Sequence, residues 1–558
     1  MPASASCDEV AMVIAPATPA EAASESTSST LPAKSEKTRW QCVSIIRSDD
    51  SHARPGRGTI GIKGEAMRCL RILIVALSLL VVVRPAVGDE TIIHDRWYVM
   101  EMMGERAGWM HASVVDTGEQ IRSNTKMLMR FNRAGVEAEV ALETIFLETR
   151  DGEPIWTEST MAFGGQPTTT RYEFLPDGVR QTTEARGQKT ETMLQPIEGA
   201  WLTPHETRQF LTSRIASGAE SFSVRTLDPS VGIEPVTITY SQVKEVRIEL
   251  MGRTVQAYEC LTTNSATPGL TTREFIDAHG DSLRSELDMG GMKLTTIAAD
   301  RELALSELVA PEMMVSTLIR PDRAIPGART LKRATYLLRL PDGELAEPPT
   351  TGSQSVERVD GQTVRVRVTA EEFAPAGDVD AAAYLARSTM LDIGDETIIE
   401  LRDRALEGVG DDELARAEAL RRFVHRYIRK KSLGVGFASA SEVARSCEGD
   451  CSEHGTLLAA LLRADGIPAR VASGLVYVDE FAGEKGVFGY HMWTQALLEI
   501  DGALRWVDLD ATLPGTLDYD ATHIALGLSA LSDGETINSL VHLAPLIGRL
   551  QIEVERLD

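Results

Sequence analysis

The chain has 558 residues, of which 43% are apolar and 25% charged, with a formal net charge of −25. That length accommodates two to four domains with cores of their own, and the composition is that of a globular protein rather than a fibrous or disordered one. The acid excess argues against nucleic acid or an anionic membrane surface as a partner.

Residues 1–66 are rich in Ala, Ser, Thr and Pro, show no periodicity and would build no core. Met67-Arg68-Cys69-Leu70-Arg71 comes next, then a run from Ile72 to Val83 that is apolar except for Ser78, then Arg84-Pro85-Ala86-Val87-Gly88. A basic start, a short apolar stretch and small residues at a cut site are the three parts of a secretory signal. The run is too short to span a bilayer comfortably. We read 67–88 as a signal peptide with Met67 as the working start, and 1–66 as a disordered or misassigned extension. The competing reading is a cytosolic tail before a short signal anchor. No later stretch is long enough to cross a membrane, so the expected location is the periplasm, the cell envelope or the medium, with no stable span after cleavage. Beyond residue 88 the cysteines are Cys260, Cys447 and Cys451. An odd number leaves at least one thiol unpaired, and a Cys260–Cys447 disulfide would free Cys451.

From 89 to 310 the pattern predicts antiparallel strands. Met127 to Phe131 and Val136 to Leu142 alternate apolar and polar residues, and turn signals recur at Asp151-Gly152 and Asp177-Gly178. A helical interruption is expected over 198–217. Residues 311–378 read as a second, smaller β module, with Val364 to Val368 after Asp360-Gly361. From 379 to 558 helices enter. Leu414, Ala417, Leu420, Val424, Tyr427 and Ile428 would line one helix face packed beneath a later helix. The expected class is therefore α+β, with β-rich domains ahead of a mixed C-terminal domain.

The chemistry concentrates in that last domain. Gly449-Asp450-Cys451-Ser452-Glu453-His454-Gly455 precedes the apolar run Leu457 to Leu462 and then Asp465-Gly466-Ile467-Pro468-Ala469-Arg470. The run reads as a helix stopped at Gly466 and Pro468, with Cys451 at its N-terminus, where free N–H groups favour a thiolate. Tyr490-His491-Met492-Trp493 to Ile500, the turn Asp501-Gly502 and Arg505 to Thr512 predict a hairpin that can bring His491 beside Asp510. A cysteine nucleophile, a histidine base and an orienting acid are the parts of an acyl-transfer triad. Asp508 and Asp510 share a strand face by period-2 spacing, so alternation does not choose between them.

These residues resemble the transglutaminase-like superfamily of papain-fold cysteine enzymes. The resemblance spans roughly residues 411–515 and rests on Gly-x-Cys, the Gly-Ile-Pro-Ala-Arg helix end, His-x-Trp and Trp-Val-x-x-Asp in that order. It implies a papain-like C-terminal core with Cys451, His491 and Asp510 as catalytic residues; that chemistry requires no cofactor, and nothing in the sequence suggests bound calcium. It selects Asp510 over Asp508 by distance from Trp506 and by the following Thr512. Ala511 stands where the family has proline. The family also places an aromatic or amide side chain upstream as second oxyanion donor, yet no Trp, Gln or Asn occurs between Arg402 and Asp450. Tyr427 is the nearest candidate, and Tyr490 and Trp493 are expected to border the cleft. The implied substrate is an amide or ester of a protein or peptide, resolved by water or by an amine.

Two other readings compete. Cys447, Cys451, His454 and His491 offer four zinc-type ligands, though at an uncommon spacing. The domain could also be an envelope protein-binding module without catalysis. Substrate identity and oligomeric state are not legible in the sequence.

Overall fold

Alternating runs such as Met127 to Phe131 and Val136 to Leu142 fold as half-buried strands of one large antiparallel sheet. The computed structural model describes residues 90–558, apart from 134, 164–166, 186, 290–291, 434–437 and 534–542. The extension and signal expected at 1–88 lie outside the described residues. No described helix is long and apolar enough to cross a membrane.

The sheet has fourteen strands. Strands β1 to β8, Thr91–Met102 to Gln188–Leu194, form one meander, and β9 to β14, Phe222–Thr226 to Met292–Ala299, form another. They join where β1 pairs with β14, from Trp97↔Ala299 to Met102↔Leu294. The expected interruption is helix α1 (Pro204–Ala216), begun by a reciprocal capping box between Thr203 and Glu206. Arg208 of α1 grips Asp281, at the start of β13 (Ser282–Met289), with two hydrogen bonds of 2.9 and 2.7 Å. Cys260, on β11 (Arg253–Asn264), is a buried free thiol, so the Cys260–Cys447 disulfide considered above does not form. A short helix α2 (Arg301–Ala304) follows the sheet.

A second sheet contains β15 (Arg333–Arg339), β16 (Gln354–Arg358), β17 (Thr363–Thr369) and β24 (Gln551–Leu557), in the order β16-β17-β15-β24. Strands from the stretch expected as a small module thus share a sheet with the final strand of the region expected as the catalytic domain. Their core is common as well: Tyr336, Leu338, Val366, Ile552 and Val554 cluster with Leu475, Tyr477 and Phe488.

The remaining core holds helices α3 (Glu396–Ala405), α4 (Glu413–Tyr427), α5 (Ala440–Ser446) and α6 (Cys451–Ala464). A two-residue parallel pair joins β18 (Lys430–Lys431) to β19 (Glu448–Gly449). The third sheet contains β20 (Ala469–Phe481), β21 (Glu484–Ile500), β22 (Ala503–Leu509) and β23 (His523–Ser529), in the order β22-β21-β20-β23. Every residue of α6 from Ser452 to Arg463 is buried, the apolar run Leu457 to Leu462 together with the polar Glu453, His454 and Arg463, so the helix is packed on every side. Ala417, Leu420, Val424 and Ile428 from α4 and its end are buried in the same core. Leu414, expected on that face, lies in the first turn of α4 and is exposed instead.

The large sheet is tied to this core through the end of β3 (Gln120–Arg133). The Asn132 N–H donates to the Pro311 carbonyl at 2.8 Å, and the Met313 N–H donates to the Asn132 carbonyl at 2.9 Å. The described residues, from 90 to 558, belong to one compact unit.

Candidate active site

Cys451 is the first residue of α6, and its N–H makes no intrahelical bond at that position. Asp450 caps the helix: its Oδ1 accepts from the Ser452 N–H at 2.9 Å and from the Ser452 hydroxyl at 2.6 Å. The Asp450 N–H donates to Glu453 Oε2 at 2.9 Å, completing a capping box. The glycine of Gly-x-Cys has a steric cause here. A Cβ on Gly449 would lie 2.3 Å from the Glu453 Cβ, so a side chain there would break the box.

The base and its orienter come from the predicted hairpin. β21 and β22 pair from Ile500↔Ala503 to Thr494↔Leu509, and Asp510 follows the last paired residue. His491 Nε2 lies 2.8 Å from Asp510 Oδ2. The other oxygen, Oδ1, accepts from the Thr512 N–H and hydroxyl, both at 2.7 Å. Burial alone would lower the His491 pKa, but the Asp510 carboxylate and a hydrogen bond with Cys451 outweigh it and raise it to about 9. Burial alone would raise Asp510, yet His491 and His523 hold it well below the usual carboxylate range. With Nε2 on the carboxylate, Nδ1 is the ring nitrogen left for the thiol, which is the division of labour a triad requires.

His523 was not legible in the sequence. It opens β23, is fully buried, and places Nε2 3.1 Å from the same Asp510 oxygen that His491 uses. Its Nδ1 lies 3.1 Å from the Asp520 carbonyl, and Asp520 pairs with Arg329 at 2.9 Å. Burial opposes its charge, but Asp520 and Asp510 raise it to about 9. The approach of β23 depends on Gly474 in β20, where the register shifts. A Cβ at that position would stand 2.0 Å from the Ile524 carbonyl oxygen.

The other expected site residues divide. Tyr490 borders the cavity, but its hydroxyl is buried without a hydrogen-bond partner among the described residues, and burial pushes its pKa up. Trp493 is 1% exposed and donates to Asp508 at 2.8 Å, so it is a wall behind His491 rather than a cleft residue. Tyr427 is not in the cleft either. Its hydroxyl donates to the Ala444 carbonyl at 2.5 Å, which fixes α4 against α5 and removes it as an oxyanion donor. Asp508 accepts from Trp493, from Gln495 at 2.7 Å and from the Ser353 N–H at 2.8 Å, a structural role that separates it from Asp510.

Both ring nitrogens of His454 are engaged, one 2.6 Å from the Asp450 carbonyl and the other 2.5 Å from Lys431 Nζ. Burial and Lys431 push its pKa down to about 4, so it is neutral and has no lone pair to spare for a zinc shared with Cys451. His491, Asp510 and His523 do bring three ligand atoms within 4.8 Å of one another. Their spacings of 2.8 and 3.1 Å are those of hydrogen bonds, and the charges they stabilise in one another account for the cluster without a metal.

A cavity of about 660 Å³ opens over these groups and is lined by Cys451, His491 and Asp510. Its walls come from the whole compact unit: Arg133 from β3, Met314 and Leu318 from the segment after the large sheet, Arg329 from the stretch before β15, and Val476 and Phe481 from β20. Arg133 donates from Nη2 to Asp450 Oδ2 and from Nη1 to the Leu433 carbonyl, both at 3.0 Å.

Residues 400–511 match the transglutaminase-like superfamily. No curated protein matches the chain. Among solved structures, a β-barrel-like protein of a domain of unknown function from Brucella abortus is 13% identical, with a TM-score of 0.29, covering 37% of this chain and 95% of that one. A candidate cysteine protease from Cytophaga hutchinsonii is 15% identical, with a TM-score of 0.24, covering 40% of this chain and 86% of the other. A candidate protease from Parabacteroides distasonis is 12% identical, with a TM-score of 0.17, covering 71% and 70%. The scores are too low to carry an argument, so the reading of the site rests on its own geometry and on the family match.

Proposed function

We propose that this protein is a thiol-dependent acyl-transfer enzyme that hydrolyses an amide bond of an exported protein or peptide, with Cys451 as nucleophile, His491 as base and Asp510 as orienter. The observation that carries the reading is a helix-N-terminal thiol and a carboxylate-held imidazole on one cavity. His491 takes the thiol proton, and the thiolate attacks the substrate carbonyl carbon. The resulting oxyanion meets the Cys451 N–H. The C–N bond then breaks as His491 returns its proton to the leaving amine, leaving a thioester on Cys451. Water, deprotonated by His491, attacks the thioester and releases the acid and the thiol; an amine in its place would yield a new amide. Hydrolysis is favoured because an acyl-enzyme open to solvent meets water by default. Export rests on the sequence reading of 67–88.

One observation favours a second reading, a binding module without turnover: neither Tyr427 nor Tyr490 offers its hydroxyl to the cavity. The test is the pH dependence of iodoacetamide labelling, site by site by mass spectrometry, on the full chain and on His491→Ala. Rapid labelling of Cys451 near about pH 6 that His491→Ala abolishes supports the enzyme. Labelling that titrates like a free thiol in both proteins supports the module.

A further inference from the structure

The cap of the nucleophile's helix carries a problem of charge. Asp450 is needed to begin α6, but its carboxylate sits next in sequence to Cys451, on the same cavity. A fixed anion there opposes a thiolate and works against the benefit of the helix N-terminus. The second carboxyl of the capping box, Glu453, adds little to this. Burial first, and then Asp450, push it up to about 8, so it is largely neutral near pH 7.

We propose that Arg133, contributed by the large β-sheet, is a positioning residue of the thiol site that neutralises the Asp450 carboxylate so that α6 can hold a thiolate at Cys451. The proposal rests on the acyl-transfer reading above. The two carboxylate oxygens are divided between two tasks: Oδ1 caps the helix and Oδ2 receives Arg133. The ion pair is poorly screened, with side-chain exposures of 17% for Arg133 and 7% for Asp450. Arg133 is held in place by its neighbour Asn132, bonded to Pro311 and Met313, and by its own second bond to the Leu433 carbonyl. The same cavity also carries Arg329 from before β15, Asp479 and Glu480 of β20, His491 of β21 and Asp510 after β22, and Lys431 of β18 meets the neutral His454 of α6. Among the described residues the Asp450 carboxylate meets Ser452, the Glu453 carboxyl and, as its cation, Arg133. The large sheet is in this sense part of the catalytic apparatus.

The test uses the full chain and reads the pH midpoint of Cys451 alkylation in Arg133→Gln, Arg133→Lys, Asp450→Asn and the Arg133→Gln/Asp450→Asn double variant. Asparagine still caps a helix, so Asp450→Asn removes charge while leaving the start of α6 in place. Arg133→Gln is expected to raise the midpoint by about one pH unit, with labelling below it about tenfold slower. Arg133→Lys should stay near the unaltered protein, and the double variant should return toward it. A midpoint indifferent to Arg133→Gln overturns the inference, as does a double variant as slow as the single one. If Arg133→Gln fails to fold, Arg133→Met, which keeps much of the side chain's length, takes its place with the same expected rise, and an unmoved midpoint overturns the inference. An unaltered Cys451 that labels like an ordinary thiol removes the acyl-transfer reading itself, whereas a reactive thiol insensitive to Arg133 removes this inference alone.

Discussion

On β3 and β4 (Val136–Thr149) of the large sheet, opposite charges meet across neighbouring strands at the surface; around α6 they meet out of water. Arg130 and Glu139 lie 2.9 Å apart with exposures of 46% and 43%, while His491 and Asp510 are 2.8 Å apart with exposures of 10% and 1%. The separations are nearly equal, so the difference in consequence comes from the surroundings. Water and side-chain freedom reduce the first pair to about 1 kcal/mol or less. The second, with no solvent to share the charge, shifts the protonation of its two partners in opposite directions, His491 up and Asp510 down.

The strongest way to break this contrast is Asp510→Asn. It should reduce thiol-dependent turnover, and Cys451 alkylation at pH 7, by about 10²- to 10⁴-fold, because the imidazole loses both its orientation and its charge partner. Retained reactivity would mean that Asp510 is merely structural, as Asp508 is. Next in size, Leu458→Ala removes a fully buried side chain from the middle of α6 and should cost about 2–5 kcal/mol in denaturant unfolding. A cost near zero would show that the helix is loosely packed.

The same contrast predicts a pH dependence of stability. His491 and His523 are both raised to about 9 from an ordinary 6.5, so their contribution is complete below pH 6.5 and is lost as pH rises through about 9. His454, lowered to about 4, acts on the other side and costs stability as pH falls from 6.5 toward 4. Urea midpoints should therefore fall between pH 6.5 and 9.5, by roughly 1–3 kcal/mol in unfolding free energy, and His523→Gln should flatten that limb. An alkaline limb identical in His523→Gln would place its cause elsewhere. Smallest of all, Glu139→Gln in the large sheet should change stability by about 0.5 kcal/mol or less and leave the Cys451 pH profile untouched.

What could be read in advance depended on whether the cause was local. Cys451 at a helix start and His491 beside Asp510 follow from a cap, a helix stop and one tight turn, all within short stretches of chain. The two aspartates could not be separated by alternation because Asp510 lies past Leu509, the last residue paired with β21, and no longer obeys the strand's period. Tyr427 was misplaced for a related reason: its spacing is right, but the nearby Ala444 carbonyl, on another helix, claims the hydroxyl. His523 and Arg133 were invisible. One lies only 13 residues past Asp510 but meets it through the shifted register of β20 with β23, which no local pattern signals, and the other comes from a sheet hundreds of residues upstream.

The last strand, β24, lies along β15 with Arg339 opposite Gln551 and Leu338 opposite Ile552. A catalytic fragment therefore cannot be cut from this protein between the small sheet and the helices. Clipping the 7 residues of Gln551–Leu557 would bare one flank of β15, with its unpaired backbone groups, and uncover Tyr336 and Leu338. Loss of activity and self-association should then arrive together, though no residue near the thiol has been touched.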